Sequence, residues 1–124
     1  MATIKSYTDI EQSKKLAEIL PLESADMYYP WYIEEDRNNI KSGHRISIPS
    51  VGNFIHKVNI LPCWSLVALI EVLPSIEGFK PVIDLDINLI RYEGNYRDEL
   101  CFNRNNLVDA CYEMIIKLNE LNLL

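Results

Sequence analysis

The chain has 124 residues, of which 48% are hydrophobic and 24% charged, so its length and composition predict one globular domain, residues 1–124, and argue against a disordered chain. Twelve Lys and Arg residues against eighteen Asp and Glu residues give an acidic net charge of −6, without a basic stripe. Nucleic-acid binding depends mainly on clustered cations that neutralise phosphates, so we expect no direct binding of DNA or RNA.

The cysteines and the apolar runs indicate the compartment. Cys63, Cys101 and Cys111 form no C-x-x-C unit and lack the local spacing of a zinc knuckle, so reduced thiols are expected. The first residues lack the apolar stretch of a signal peptide, and the longest apolar run, residues 66–70, is far shorter than the ~18 residues needed to cross a bilayer. We therefore expect a cytoplasmic protein that does not associate with membranes.

The first predicted element is an amphipathic helix. Thr8 followed by Glu11 has the spacing of a capping box, in which each side chain satisfies a backbone N–H at the start of a helix. Pro21 ends the pattern. The residues predicted to form its apolar face recur at helical spacing: Ile10, Leu16, Ala17 and Leu20.

An aromatic segment follows, in which Pro30 interrupts four large rings, so that an edge strand or a loop is expected. In an extended chain these rings cannot all face one core. Two interpretations stay open: the rings form an exposed interaction surface with an acidic rim, or they cover the end of the hydrophobic core. The residues of this candidate interaction surface are Tyr28, Tyr29, Trp31, Tyr32, Glu34 and Glu35.

Two further stretches, residues 44–48 and 54–60, alternate between apolar and polar side chains and predict strands. His56 falls on the apolar side of the second stretch, which favours a hydrogen-bonded core histidine over a catalytic one. His44 lies beside a turn near acidic residues and is a candidate site residue, although a solvated loop is the simpler interpretation.

The C-terminal half carries the clearest patterns. Residues 64–73 are apolar nearly all round and predict a buried helix. Residues 83–89 alternate strictly and predict a single strand, with Ile83, Leu85, Ile87 and Leu89 on the face towards the core. A hairpin turn at residues 93–95 and a returning strand at residues 98–103 are predicted to follow. Asn106 is the predicted cap of a final helix with a Glu113–Lys117 pair on its outer face. Its predicted buried stripe contains Leu107, Val108, Cys111, Met114, Ile115, Leu118 and Leu121.

These elements predict an α+β fold, in which about three helices pack on one face of a small antiparallel sheet. Strict alternation of strands and helices is missing, so a doubly wound parallel sheet is disfavoured.

One pair of acidic residues could carry chemistry. Asp84 and Asp86 are two apart on the predicted strand, so their carboxylates would lie on one side and could share a cation or act together as an acid/base pair. His44 is a further candidate for the same site. Alternating polar residues are also what any half-exposed strand needs. The sequence contains no G-x-S-x-G, H-E-x-x-H or phosphate-binding glycine motif, so we predict no cofactor and favour a non-enzymatic protein.

Several stretches in the second half of the chain carry a resemblance. Residues 62–66 (PCWSL), 106–114 (NLVDACYEM) and 117–121 (KLNEL) resemble an uncharacterised family of small proteins of gut anaerobic bacteria, their phages and other mobile elements. The resemblance covers roughly the last half of the chain, with rough agreement near the start. The family has no assigned activity, so the resemblance implies only a cytoplasmic accessory protein and transfers no functional residue.

Three hypotheses follow from the sequence. The first is a protein-interaction module, with an unidentified protein or a second copy of the chain as partner and the aromatic segment as contact surface. The second is a small metal- or ligand-binding enzyme that uses Asp84 and Asp86. The third is an acidic mimic of nucleic acid, which requires carboxylates spaced like phosphates on one face.

Overall fold

The computed structural model describes residues 5–29, 61–96 and 98–124, apart from the side chain of Tyr96. Within these residues it contains three α-helices and two small antiparallel sheets of two and three strands, which confirms the predicted α+β fold class. The strands predicted at residues 44–48 and 54–60 lie outside the described ranges. The chain divides into two compact units, Thr8–Ser65 and Met1–Tyr7 with Leu66–Leu124, so the prediction of a single domain stays a prediction.

In the unit Thr8–Ser65 the first helix, α1, spans Ile10–Ile19. Its capping box forms one residue later than predicted. The carboxylate of Asp9 accepts a hydrogen bond from the Gln12 amide at 2.8 Å, and the Gln12 side chain accepts one from the Asp9 amide at 3.1 Å. Thr8 does not cap the helix because its side chain is fully buried and its hydroxyl accepts a hydrogen bond from the Trp64 amide at 3.1 Å.

The buried face of α1 also differs from the prediction. Ser13 and Leu16 are buried, whereas Ala17, predicted to face the core, is exposed. Ser13 can occupy a core position because its hydroxyl hydrogen-bonds that of Thr8 at 2.8 Å, which satisfies both polar groups.

The described part of this unit also contains a two-stranded sheet. Strand β1, Met27–Tyr29, pairs antiparallel with β2, Leu61–Cys63, so that Met27 lies opposite Cys63 and Tyr29 opposite Leu61. The extended conformation predicted for the start of the aromatic segment is therefore confirmed for β1. Among the described residues of this unit, six hydrophobic side chains are buried: Leu16, Leu20, Tyr29, Leu61, Cys63 and Trp64.

The second unit contains helix α2, Leu66–Val72, which begins two residues later and ends one residue earlier than the predicted helix. Ala68 and Leu69 are buried, but Val67 is 65% exposed, so burial all round this helix was a wrong expectation. The unit also contains a three-stranded sheet and helix α3, Leu107–Glu120, which contacts α2.

The sheet is an antiparallel meander of β3, Val82–Asp84, β4, Leu89–Arg91, and β5, Cys101–Asn103, with β4 in the centre. The single strand predicted for residues 83–89 is wrong, because residues 85–88 form a turn. Asn88 has a φ of 53°, in the left-handed region that asparagine enters more readily than most residues.

Helix α3 follows the prediction closely. The side chain of Asn106 accepts a hydrogen bond from the Asp109 amide at 2.8 Å, as expected of its cap. All of the predicted stripe is buried except Leu121, which is half-buried. The predicted Glu113–Lys117 pair does not form, since Glu113 lies 3.6 Å from Arg104 and Lys117 lies 4.0 Å from Glu120. None of the helices in the described ranges is long and apolar enough to cross a membrane.

Two turns of this unit are joined by one carboxylate. Glu77, in the turn between the bridged residues Ile76 and Phe79, accepts hydrogen bonds from the Asn95 backbone amide at 3.0 Å and from its side-chain amide at 3.2 Å. Gly94, with a φ of 90°, lies so close that a Cβ atom there would stand 2.5 Å from the Glu77 carboxylate. Gly94 therefore provides both a left-handed backbone and the room for this contact.

We expect Gly94→Ala to lower the free energy of unfolding more than Gly78→Ala. Both positions have a positive φ, where alanine costs about 1–2 kcal/mol, but a Cβ at Gly78 meets nothing within 4 Å. At Gly94 the displaced Glu77 carboxylate loses its two bonds to Asn95, which adds about 1–2 kcal/mol. Urea unfolding followed by circular dichroism measures the difference. Equal losses in the two variants, or a difference that persists in a Glu77→Ala background, would contradict this explanation.

Candidate functional site

The structure places only part of the aromatic segment. Tyr28 is half-buried, and Trp31, Tyr32, Glu34 and Glu35 lie outside the described residues, as does His44. Tyr29 is 5% exposed, and its hydroxyl donates a hydrogen bond to the Thr8 carbonyl at 2.8 Å. The assignment of Tyr29 to an exposed interaction surface was therefore wrong, and this ring belongs to the core.

Asp84 and Asp86 are both exposed, but they do not share the side of a strand. Asp84 ends β3 and Asp86 lies in the turn, where its backbone amide donates a hydrogen bond to the Asp84 carboxylate at 3.0 Å. Asparagine and aspartate side chains stabilise turns in this way. Among the described residues no group of three or more His, Cys, Asp or Glu side chains is arranged to hold a metal ion.

The turn between β3 and β4 exposes large apolar side chains instead. Leu85 is 74% exposed, Ile87 50% and Val82 38%, although the first two belonged to the predicted buried face. We call Val82, Leu85 and Ile87, together with Asp84 and Asp86, the hairpin surface. It lines a groove of about 530 Å³, to which other residues of β3 and β4 also contribute.

The apolar side chains of this turn are held on an ordered backbone. The carbonyl of Asn88 accepts a hydrogen bond from the Arg104 amide at 3.2 Å, and its side-chain amide donates one to the Asn105 carbonyl at 3.1 Å. The side-chain amide of Asn103 also donates to the Ile87 carbonyl. These bonds join the turn to the end of β5 and to the two residues after it, so Leu85 and Ile87 are exposed on a loop that hydrogen bonds hold in place.

Within the described residues, the carboxylates of the hairpin surface form no ion pair with a cation. Arg91, at the far end of β4, pairs with Glu93. The groove is therefore lined by apolar side chains, by the carboxylates of Asp84 and Asp86, and by Arg91, whose own charge is balanced by Glu93.

The hairpin surface could have been recognised from its turn-forming residues. Asp84, Asp86 and Asn88 are residue types enriched in turns, and the last of them tolerates a left-handed backbone. The strict alternation of apolar and polar residues outweighed that signal, because a period of two is also the pattern of a half-buried strand.

The other unit contains a buried thiol that could be mistaken for a nucleophile. Cys63 donates to the Thr8 carbonyl, with its Sγ 3.4 Å from the oxygen, and lies 3.6 Å from the Thr8 hydroxyl. Burial raises the pKa of the Cys63 thiol, against the opposing effect of hydrogen bonds from Thr8, Ser13 and Tyr29. Because the thiolate is the reactive form, Cys63 acts as a core residue that helps to satisfy the buried Thr8.

Thiol counting tests the assignment of Cys63 and Cys111 to the core. Burial raises the pKa of Cys111 to about 12, and both side chains are fully buried, whereas Cys101 is exposed. At pH 8 we expect one thiol per folded chain to react rapidly with a disulfide reagent, and three after denaturation. A Cys101→Ser variant should show no rapid reaction when folded. Rapid reaction in that variant would mean that a buried cysteine is activated.

No family model, curated protein or solved structure matches this chain. The family resemblance of the C-terminal half stays a prediction.

Proposed function

We propose that this protein is a non-enzymatic interaction module that binds another protein through the hairpin surface. The observation that carries the proposal is the exposure of Leu85 and Ile87 on a turn that hydrogen bonds hold in place. Scattered exposed apolar residues are normal on a protein surface, but a contiguous apolar patch edged by polar groups is typical of an interaction site.

Burial of the exposed apolar side chains at this surface would contribute substantially to the free energy of binding. Full burial of a leucine or isoleucine side chain contributes about 1.5–3 kcal/mol, so burial of the exposed fractions of Leu85 and Ile87 would contribute together about 2–4 kcal/mol. The ordered turn reduces the entropy that a partner must remove on binding.

The described groups give less support to catalysis. The carboxylate of Asp84 is engaged by the turn, and no group of three or more ligating side chains that could hold a metal ion is found among the described residues. The buried thiols of Cys63 and Cys111 have raised pKa values, which disfavours a thiolate nucleophile.

The accessory role in a phage or another mobile element belongs to the same proposal and is supported by the residue resemblance alone. A cytoplasmic location is proposed with it. The acidic composition agrees with a partner of opposite charge, but it is also a common means of solubility.

A photo-reactive amino acid at position 85 tests whether this surface contacts a partner. We expect illumination of cells that express this variant to yield a discrete cross-linked protein. The same amino acid at position 67 is the matched control, because Val67 is 65% exposed but lies on α2. Purified partner should then bind the Leu85→Ser/Ile87→Ser variant at least about tenfold more weakly than the wild type or Val67→Ser.

Folding has to be checked in the same variants. Exposed substitutions away from a core usually change stability little, so the double variant should lose less than about 1 kcal/mol of unfolding free energy. Equal cross-linking from both positions, or unchanged affinity in a folded double variant, would overturn the proposed function.

A further inference from the structure

We infer that the segment bound by the hairpin surface is a basic one, in which Lys or Arg lies next to a large apolar side chain. This inference rests on the proposed function and adds the chemistry of the partner. It follows from the order of residues at the turn, where the apolar Leu85 and Ile87 alternate with Asp84 and Asp86 and all four are exposed. A segment that fills the apolar part of the groove must bring its neighbouring groups close to these carboxylates.

The negative charge around the groove favours a partner segment that carries positive charge. Asp84 and Asp86 form no ion pair within the described part of the chain, and the guanidinium of Arg91 is already paired with Glu93. The net charge of −6 adds a long-range field of the same sign. An acidic segment would be repelled by both contributions, whereas a basic one would gain attraction during approach and in the complex.

The same charges disfavour a second copy of this chain as the occupant. A symmetric contact through the hairpin surface would bring the carboxylates of Asp84 and Asp86 towards their own copies, and like charges across an interface oppose association.

The backbone of the hairpin indicates how the segment binds. Strand β3 has only three residues and follows Pro81, which has no N–H to donate, so its edge offers little to a strand added by a partner. Recognition then depends on side chains in the groove. Its volume of about 530 Å³ suits a short segment, since pockets for compact ligands measure about 300–1,000 Å³.

Selection from a random heptapeptide display library tests the inference without knowledge of the natural partner. The full chain is the target, and the Leu85→Ser/Ile87→Ser variant removes peptides that do not need the hairpin surface. We expect the remaining peptides to be enriched in Lys or Arg beside large apolar residues. A synthetic copy of the most enriched peptide is then used to measure affinity.

Charge variants give the decisive comparison. Asp84→Asn/Asp86→Asn removes two charges, and the amide oxygen introduced at position 84 can still accept the hydrogen bond that holds the turn. We expect this variant to bind the peptide about two- to tenfold more weakly at low salt, with a smaller loss at high salt. Asp98→Asn/Glu99→Gln removes two exposed charges at the opposite end of β4 and should leave the affinity unchanged.

The failures of the two proposals are distinguishable. Peptides that need the hairpin surface but lack cations, or that bind the Asp84→Asn/Asp86→Asn variant equally well, would overturn the inference and leave the interaction module standing. Self-association that is lost in Leu85→Ser/Ile87→Ser, measured by sedimentation equilibrium, would also overturn it by showing a second copy as the occupant. A library that yields no peptide dependent on the hairpin surface would count against the proposed function itself.

Discussion

The three-stranded sheet depends on the burial of Ile90 at the centre of β4. This side chain is fully buried, lies opposite Ile83 on one side and Phe102 on the other, and belongs to a strand that contacts helix α3. Because side chains alternate along a strand, fixing Ile90 in the core fixes the register of both neighbours. The chain then has to reverse direction between Asp84 and Leu89, and the side chains of that reversal are directed away from the core.

The same constraint explains why an apolar turn is stable without a partner. The buried stripe of α3 and the two neighbouring strands support the hairpin. The Asn103 side chain donates a hydrogen bond to the Ile87 carbonyl of the turn, and the Asn88 side chain donates one to the Asn105 carbonyl. The exposed side chains of Leu85 and Ile87 therefore lack the hydrophobic stabilisation that their burial would give, and the turn itself supplies no equivalent contribution. We propose that this surface is used for binding and that the neighbouring carboxylates favour a basic partner.

Where periodicity and capping agreed, the sequence predicted the fold well. The cap residue Asn106 and the apolar stripe from Leu107 to Leu118 both predict the same helix, and the structure confirms that helix. The errors arise where two physical requirements compete for one residue. Thr8 has the type and spacing of a helix cap, but its burial beside Trp64 uses its hydroxyl, so Asp9 caps the helix. The alternation of residues 83–89 fits one continuous strand as well as it fits two strands joined by a turn. Only long-range packing against α3 distinguishes these two structures. The candidate site was missed for the same reason, since Leu85 and Ile87 were assigned to the core.

The proposed function requires that the turn of the β3–β4 hairpin is a preformed surface, held in one conformation before any partner binds. Amide ¹⁵N relaxation of the free protein measures this directly for residues 85–88. We expect order parameters close to those of β4, about 0.85, because hydrogen bonds tie the turn to residues 103–105. Values below about 0.6 for these residues would contradict it, since Leu85 and Ile87 would then lie on a flexible loop.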